Sequence, residues 1–303
     1  MTEPGAEVGV TAELVRRALA EQHPDLADLP IREVQGGWGN QMWRLGDDLA
    51  VRVQRMDTSA DHQLHERRWL PVLAPRLPLP IPVPVREGAP SALLPKLWTV
   101  VTWVHGVPLD LTPVVHGEHT ADLLAAFLRA LHVVAPLDAP PDTGRGAHPR
   151  DDVGGFEALL GSLDPATVGP DVAALRAVWA DARAAPDRDG PPVWVHGDLH
   201  PANVVVAAGT LSGVVDFGDV FAGDPALDLA AAWVLLPAGL AGRFLRAYAV
   251  ADEATLRRAR GLAVRTSLFL LLMGQNGDRG LPGGKPHWGP LGRAALDRVL
   301  ADV

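Results

Sequence analysis

The 303-residue chain predicts an α+β protein of two lobes. A small antiparallel-sheet N-lobe runs to about residue 104, and a larger, mainly helical C-lobe takes 105–303. Three observations predict this plan. Strand-like apolar runs crowd the first hundred positions, and helical periodicity dominates from about 119. Hydrophobic residues make up 48% of the chain, enough to fill a core in each lobe. A cleft between two such lobes is a common place for a ligand.

The elements follow in order. TAELVRRALAEQ (11–22) carries helical periodicity with Thr11 as a cap. IREVQ (31–35), QMWRL (41–45) and LAVRV (49–53) read as strands, separated by GGWGN and by a GDD turn. Residues 59–74 read as a helix with Ser59 near its start. LPLPIPVPV (77–85) is proline-rich and extended, which suits an edge or surface segment. LWTVVTWV (97–104) is a buried strand that HGVPLD ends. Beyond it come an amphipathic helix (118–134), a loop (140–155) and a helix (171–184). The turn HGDLHPAN (196–203) precedes strands at 204–207 and 212–217. Helices at 225–236, 239–250, 252–274 and 289–301 complete the chain.

Composition excludes several classes of function. A net charge of −9 disfavours a broad nucleic-acid surface and attracts cationic ligands. The absence of cysteine rules out disulfides, thiolate zinc sites and cysteine nucleophiles. MTEPGAEVGV lacks the plan of a secretory signal, and the apolar stretch 229–242 is too short to span a bilayer and contains Pro237. A cytoplasmic protein with neither nucleic-acid nor membrane partners is expected.

The chemistry concentrates in WVHGDLHPANVVV. Asp198 and Asn203 stand five apart, and His196 precedes the aspartate by two. Phosphoryl transfer needs a carboxylate to orient or deprotonate the attacking hydroxyl, together with oxygen ligands for Mg²⁺. The kinase catalytic loop supplies both at this spacing. Val215-Asp216-Phe217-Gly218 follows after a short hairpin, with Asp216 at its end, where such enzymes carry a second metal ligand. Either motif alone is weak; the two in order are specific.

HGDLHPAN, VDFGD (215–219) and GDPALDLA (223–230) resemble the three C-lobe motifs of the aminoglycoside phosphotransferase family, small-molecule kinases of the protein-kinase-like fold. The motif-bearing stretch runs from about 30 to 230. The resemblance implies transfer of a phosphoryl group from ATP or GTP to a hydroxyl, with Asp198 as base or orienter and Asn203 and Asp216 as Mg²⁺ ligands. It matches Leu49-Ala50-Val51-Arg52 to the strand that carries a phosphate-gripping lysine, so Arg52 stands where lysine is expected. Glu66, fourteen residues on, becomes its helix partner. Arginine keeps the charge and adds a planar fork, but the two side chains are not interchangeable. Lys96 and Lys285 are the only lysines among 27 Lys and Arg, so the exchange fits the chain's own bias. Gly36, Gly37 and Gly39 lie where backbone amides would approach phosphates. Trp103 and Val104 fall where the family holds the adenine.

Neighbouring residues take supporting roles. His196 is expected to hold the loop beside Asp216, Asp224 to cap a helix, and Asp228 to brace the catalytic loop. Asp219 faces the acceptor or is a plain turn residue. Only residues 219–222 separate Phe217-Gly218 from Gly223-Asp224-Pro225, too few for a peptide-binding activation segment, so the acceptor is small. An aminoglycoside or other antibiotic is the acceptor that the resemblance implies. A sugar, an amino alcohol or a natural product of metabolism is the alternative. A nucleotide-binding protein of poor catalytic power is a third reading, which Arg52 favours. Segment 274–290 would shape the pocket. Asp198, Asp219 and Asp278 would suit a cationic acceptor, whereas Arg279, Lys285 and His287 would not. Trp288 stacks on a sugar or packs.

Overall fold

The computed structural model describes residues 10–34, 36, 39–55, 59–169 and 171–303. The chain forms two compact units. The first takes the described residues up to Ala74 together with Ile81–Val104; the second takes Pro75–Pro80 and His105–Val303.

The first unit runs α1 (Ala12–Gln22), β1 (Ile31–Val34), β2 (Asn40–Leu45), β3 (Leu49–Gln54), α2 (Ser59–Leu73), β4 (Pro84–Gly88) and β5 (Trp98–Thr102). Its sheet has the order β1-β2-β3-β5-β4, with every pairing antiparallel. Thr11 Oγ1 accepts the Leu14 N–H at 3.2 Å and starts α1. Val15, Ala18 and Leu19 then share one helix face. They pack on Trp43, Val51, Val53 and Trp98. Alternation along β3 sends Ala50 and Arg52 to the opposite face, so the strand is buried on both sides. The proline-rich segment feeds β4, an edge strand whose pairing with β5 is bulged between Pro84 and Arg86.

The second unit runs β6 (Val107–Pro108), α3 (Gly117–Leu131), α4 (Gly155–Gly161), α5 (Pro165–Val168), α6 (Val172–Ala184), β7 (Val193–Val195), β8 (Val204–Ala207), β9 (Thr210–Val214) and β10 (Phe221–Gly223). It ends with α7 (Ala226–Leu229), α8 (Ala231–Val234), α9 (Ala241–Tyr248), α10 (Glu253–Asp278) and α11 (Trp288–Leu300). Asp252 accepts the Thr255 N–H at 2.7 Å and starts α10. Buried residues recur around α10 from Thr255 to Gln275, as in a helix covered on most sides; α6 and α11 pack along it. Two small sheets, β7–β10 and β6–β8–β9, flank the turn 196–203.

Local sequence misplaced several boundaries. The helix expected over 118–134 ends at Leu131, because Val133 O accepts the Trp194 N–H and Val134 bridges Val193. The strand expected over 212–217 ends at Val214, since the Val215 N–H turns to Asn203 O. The helix expected over 225–236 divides into α7 and α8 about Ala230, and α10 runs four residues past 274. Helices α4 and α5 and strands β6, β7 and β10 were not expected. No helix among the described residues is long and apolar enough to cross a membrane.

Candidate active site

The site in the second unit grows from two short strand pairs. β7 pairs with β10 and delivers the chain to His196; β8 and β9 form the hairpin that returns it to Asp216. Gly197 adopts φ +86°, and a Cβ there would sit 2.6 Å from Asp219 O. Glycine therefore lets the loop turn against residues 219–221.

Asp198 and Asn203 meet directly. Asn203 Nδ2 donates to Asp198 O at 2.9 Å and to its Oδ2 at 3.2 Å. The peptide groups just before Asp216 are pinned on both sides. The Val215 N–H donates to Asn203 O at 2.9 Å, and His196 Nε2 donates to Val215 O at 3.0 Å. His196 Nδ1 accepts the Asp198 N–H at 3.2 Å, so one neutral tautomer satisfies both ring nitrogens. The ring is fully buried and lies edge-on to Phe217. Asp216 is held at φ +63°, a left-handed conformation that costs a non-glycine residue energy, and its carboxylate is exposed.

A second layer holds the loop. The buried Asp228 carboxylate accepts the His196 N–H at 2.7 Å and the Gly197 N–H at 3.1 Å. His132 Nε2 donates to the same carboxylate at 3.1 Å, and its Nδ1 lies 2.8 Å from the Tyr248 hydroxyl. Burial, with Asp228 nearby, pushes the Tyr248 hydroxyl up, so it stays protonated and donates. Asp224, expected as a helix cap, lies one residue before the N-cap Pro225 of α7; it accepts the Ala226 N–H at 3.0 Å and binds the fully buried Arg258 at 2.7 Å. Nothing in local sequence marks His132 or Tyr248, which lie 96 and 20 positions from Asp228.

Arg145 was also not foreseen. Its guanidinium reaches Asp198 Oδ1 at 2.6 Å and Asp219 Oδ2 at 3.0 Å. Its loop is built, because Asp142 Oδ1 accepts the N–H groups of Gly144 and Gly146 and the Ala222 N–H donates to Pro140 O. The only hint in sequence is an arginine between two glycines. Burial opposes charge on Asp198, but His200 and the Arg145 guanidinium outweigh it and hold the carboxyl well below the usual carboxylate range. His200 Nδ1 accepts the Ala202 N–H, which leaves the Nε2 proton facing Asp198 Oδ2 at 3.6 Å. Trp288 is buried against His200 and donates to Asp110 at 2.8 Å, so it packs. Asp278 lines a hollow of about 400 Å³ with Asp164, Gln275, Arg279 and Arg293.

The other predicted residues lie in the first unit. Arg52, on β3 between Met42 and Thr99, meets Glu66 of α2 at 2.6 Å with both side chains buried. Gly36 and Gly39 sit at the β1–β2 connection. A Cβ on Gly36 would lie 2.4 Å from Asn40 O, and Gly39 O accepts the Arg55 N–H. Gly37 lies outside the described residues. The Trp103 N–H is taken by Asp48 O, and the Arg44 guanidinium covers the Trp103 ring at 4.5 Å. Among the described residues the Val104 peptide groups take no hydrogen-bond partner.

The residues fit Mg²⁺. Asn203 uses its amide hydrogens on Asp198, which leaves the side-chain oxygen as the atom that could ligate. Among the described residues, no hydrogen bond or ion pair engages the Asp216 carboxylate, and no group of three or more His, Asp or Glu side chains is arranged for a metal. Two hard oxygens suit an ion that takes one or two protein ligands and completes its shell with phosphate and water.

A family model described as "Phosphotransferase enzyme family" matches residues 30–262. No curated protein sequence matches the chain. Solved structures match over nearly its whole length. The GDP and kanamycin complex of APH(2")-IIia is 19% identical with a TM-score of 0.67, covering 95% of this chain and 98% of that one. The streptomycin–ATP complex of APH(2")-IIa is 16% identical with a TM-score of 0.56, covering 88% and 91%. The macrolide 2'-phosphotransferase MphH from Brachybacterium faecium, as apoenzyme, is 21% identical with a TM-score of 0.60, covering 94% and 98%.

Proposed function

The chain belongs to the phosphotransferase enzyme family, and we propose on that premise that it moves the terminal phosphoryl group of ATP or GTP to a hydroxyl of a small molecule. The observation that carries the reading is the coupling of Asp198 to Asn203, with the peptide before Asp216 tied to the same loop. Asp198 accepts a hydrogen bond from the acceptor hydroxyl and aims its oxygen lone pair at the phosphorus. The acceptor O–P bond forms as the bond to the nucleotide's leaving oxygen breaks. A carboxylate whose acidity is raised this far is a weak base, so Asp198 orients first and takes the proton late, as a loose transition state allows. Asn203 and Asp216 would hold Mg²⁺, which supplies neutralising charge to the phosphate oxygens. Arg52, paired with Glu66, would grip phosphate, and the unpartnered peptide of Val104 would receive the base.

Relatives have been seen with GDP and kanamycin and with ATP and streptomycin, so both nucleotides and aminoglycoside acceptors belong in the test. So do macrolides, sugars and amino alcohols. The test is a coupled phosphoryl-transfer assay over that panel with each nucleotide and Mg²⁺, using Asp198→Asn as control. Transfer to one acceptor class that the control loses is the expected result, and it separates a resistance enzyme from a metabolic kinase by the acceptor it selects. Nucleotide binding without transfer to any acceptor would replace this reading with a catalytically poor nucleotide-binding protein.

A further inference from the structure

The carboxylates nearest the transfer chemistry are already answered by a cation of the chain itself. Arg145 bridges Asp198 at 2.6 Å and Asp219 at 3.0 Å, from a loop shaped by the Asp142 turn and tied to β10. A cationic acceptor would be expected to place an ammonium near these two groups. Asp278, the third candidate carboxylate, lies instead among Asp164, Arg279 and Arg293. We propose that Arg145 is a specificity-determining residue that fills the ammonium position beside the reacting hydroxyl, so that the preferred acceptor is uncharged or anionic there. The inference rests on the phosphotransferase reading and names its acceptor class.

Charge decides the preference. An acceptor ammonium must either displace the guanidinium or sit against it, and like charges a few ångströms apart repel by several-fold more at a partly buried site than in water. A neutral hydroxyl or an acceptor carboxylate meets no such cost, and the outer guanidinium face offers the carboxylate a fork of N–H donors. Arg145 is about half exposed, so its removal need not unsettle the fold.

The test is calorimetric binding of kanamycin, as a polycation, and of gluconate, as an anionic polyol, to the full chain and to Arg145→Ala, Arg145→Gln and Arg145→Lys. Thermal unfolding checks each variant, and the glutamine variant serves if the alanine one fails to fold. Kanamycin affinity is expected to rise at least about tenfold in the neutral variants, to stay near wild type in Arg145→Lys, and to lose that gain at high salt; gluconate affinity falls in the neutral variants. Equal kanamycin affinity in all proteins, no kanamycin binding by any of them, or weaker kanamycin binding without Arg145 would overturn the inference. Binding is read without transfer, so its failure is separate from that of the enzymatic reading. Absence of transfer to every acceptor, with the kanamycin difference intact, would fail the reading alone.

Discussion

The carboxylate of Asp228 accepts the backbone N–H of His196 at 2.7 Å, and both residues are fully buried. A helix near the end of the motif-bearing stretch thereby holds the turn that carries Asp198. Asp228→Ala removes one acceptor from two loop N–H groups and His132 at once. It is expected to lower the unfolding free energy by about 3–5 kcal/mol, the usual cost of stranding buried partners. Urea denaturation measures this, and a loss under about 1 kcal/mol would count against the brace.

Asp198→Asn keeps the shape of the side chain and removes its charge. It is expected to lower kcat by at least roughly two orders of magnitude while nucleotide affinity stays within about threefold of wild type. Steady-state kinetics and nucleotide titration give both quantities, and near-normal turnover would sink the role assigned to Asp198.

Titration of Asp198 has a definite sign. Its folded-state pKa is depressed, so its contribution to stability is present above the unfolded value of about 3.9 and is lost as pH falls through the lower folded value. Carbon NMR of the Asp198 carboxyl is expected to show no titration between pH 8 and pH 4. Arg145→Ala, which removes one of the stabilising charges, is expected to move the midpoint up toward the ordinary range. A wild-type midpoint at or above the ordinary value would contradict the electrostatics described.

Arg52 and Glu66 are both buried and are 2.6 Å apart, so neither tolerates loss of the other. Arg52→Ala is expected to cost about 3–5 kcal/mol by removing the guanidinium that pairs with the buried Glu66 carboxylate. Arg52→Lys retains the charge and is expected to stay within about 1.5 kcal/mol of wild type, with the difference appearing in nucleotide KM. Chemical denaturation and KM measurements for the pair of variants decide it; equal stability of the two would remove the case for a buried ion pair.

Asp216 carries its carboxylate on a strained residue. Asp216→Asn is expected to raise the Mg²⁺ concentration giving half-maximal rate by about tenfold or more, since an amide replaces a charged oxygen ligand. Asp216→Gly removes the carboxylate and relieves the φ of +63°, so it is expected to weaken metal-nucleotide binding without lowering the melting temperature. A Mg²⁺ dependence unchanged in both variants would exclude Asp216 as a ligand.

Much of the fold was legible because periodicity and turn chemistry are local. Thr11 caps α1, the apolar run LAVRV forms β3, and the prolines confine β4 to an edge. The failures share one cause. Val133, Val134 and Val215 each have a local pattern that continues an element, yet each gives its backbone groups to a distant segment. β7 and β10 are three residues each, too short to signal themselves before they pair.

By itself the sequence determined the turn HGDLHPAN, since Asp198 and Asn203 stand five apart on one short loop, from which a hairpin leads to Asp216. It determined the Arg52–Glu66 pair in the same way, through one strand and the helix after it. Only the tertiary structure decided what surrounds them. Arg145 lies 53 residues from Asp198, and His132 lies 96 from Asp228. Contacts across such separations depend on how helices pack and loops close, and no local preference of either residue encodes them. They set the charge beside Asp198 and hold the turn that carries it.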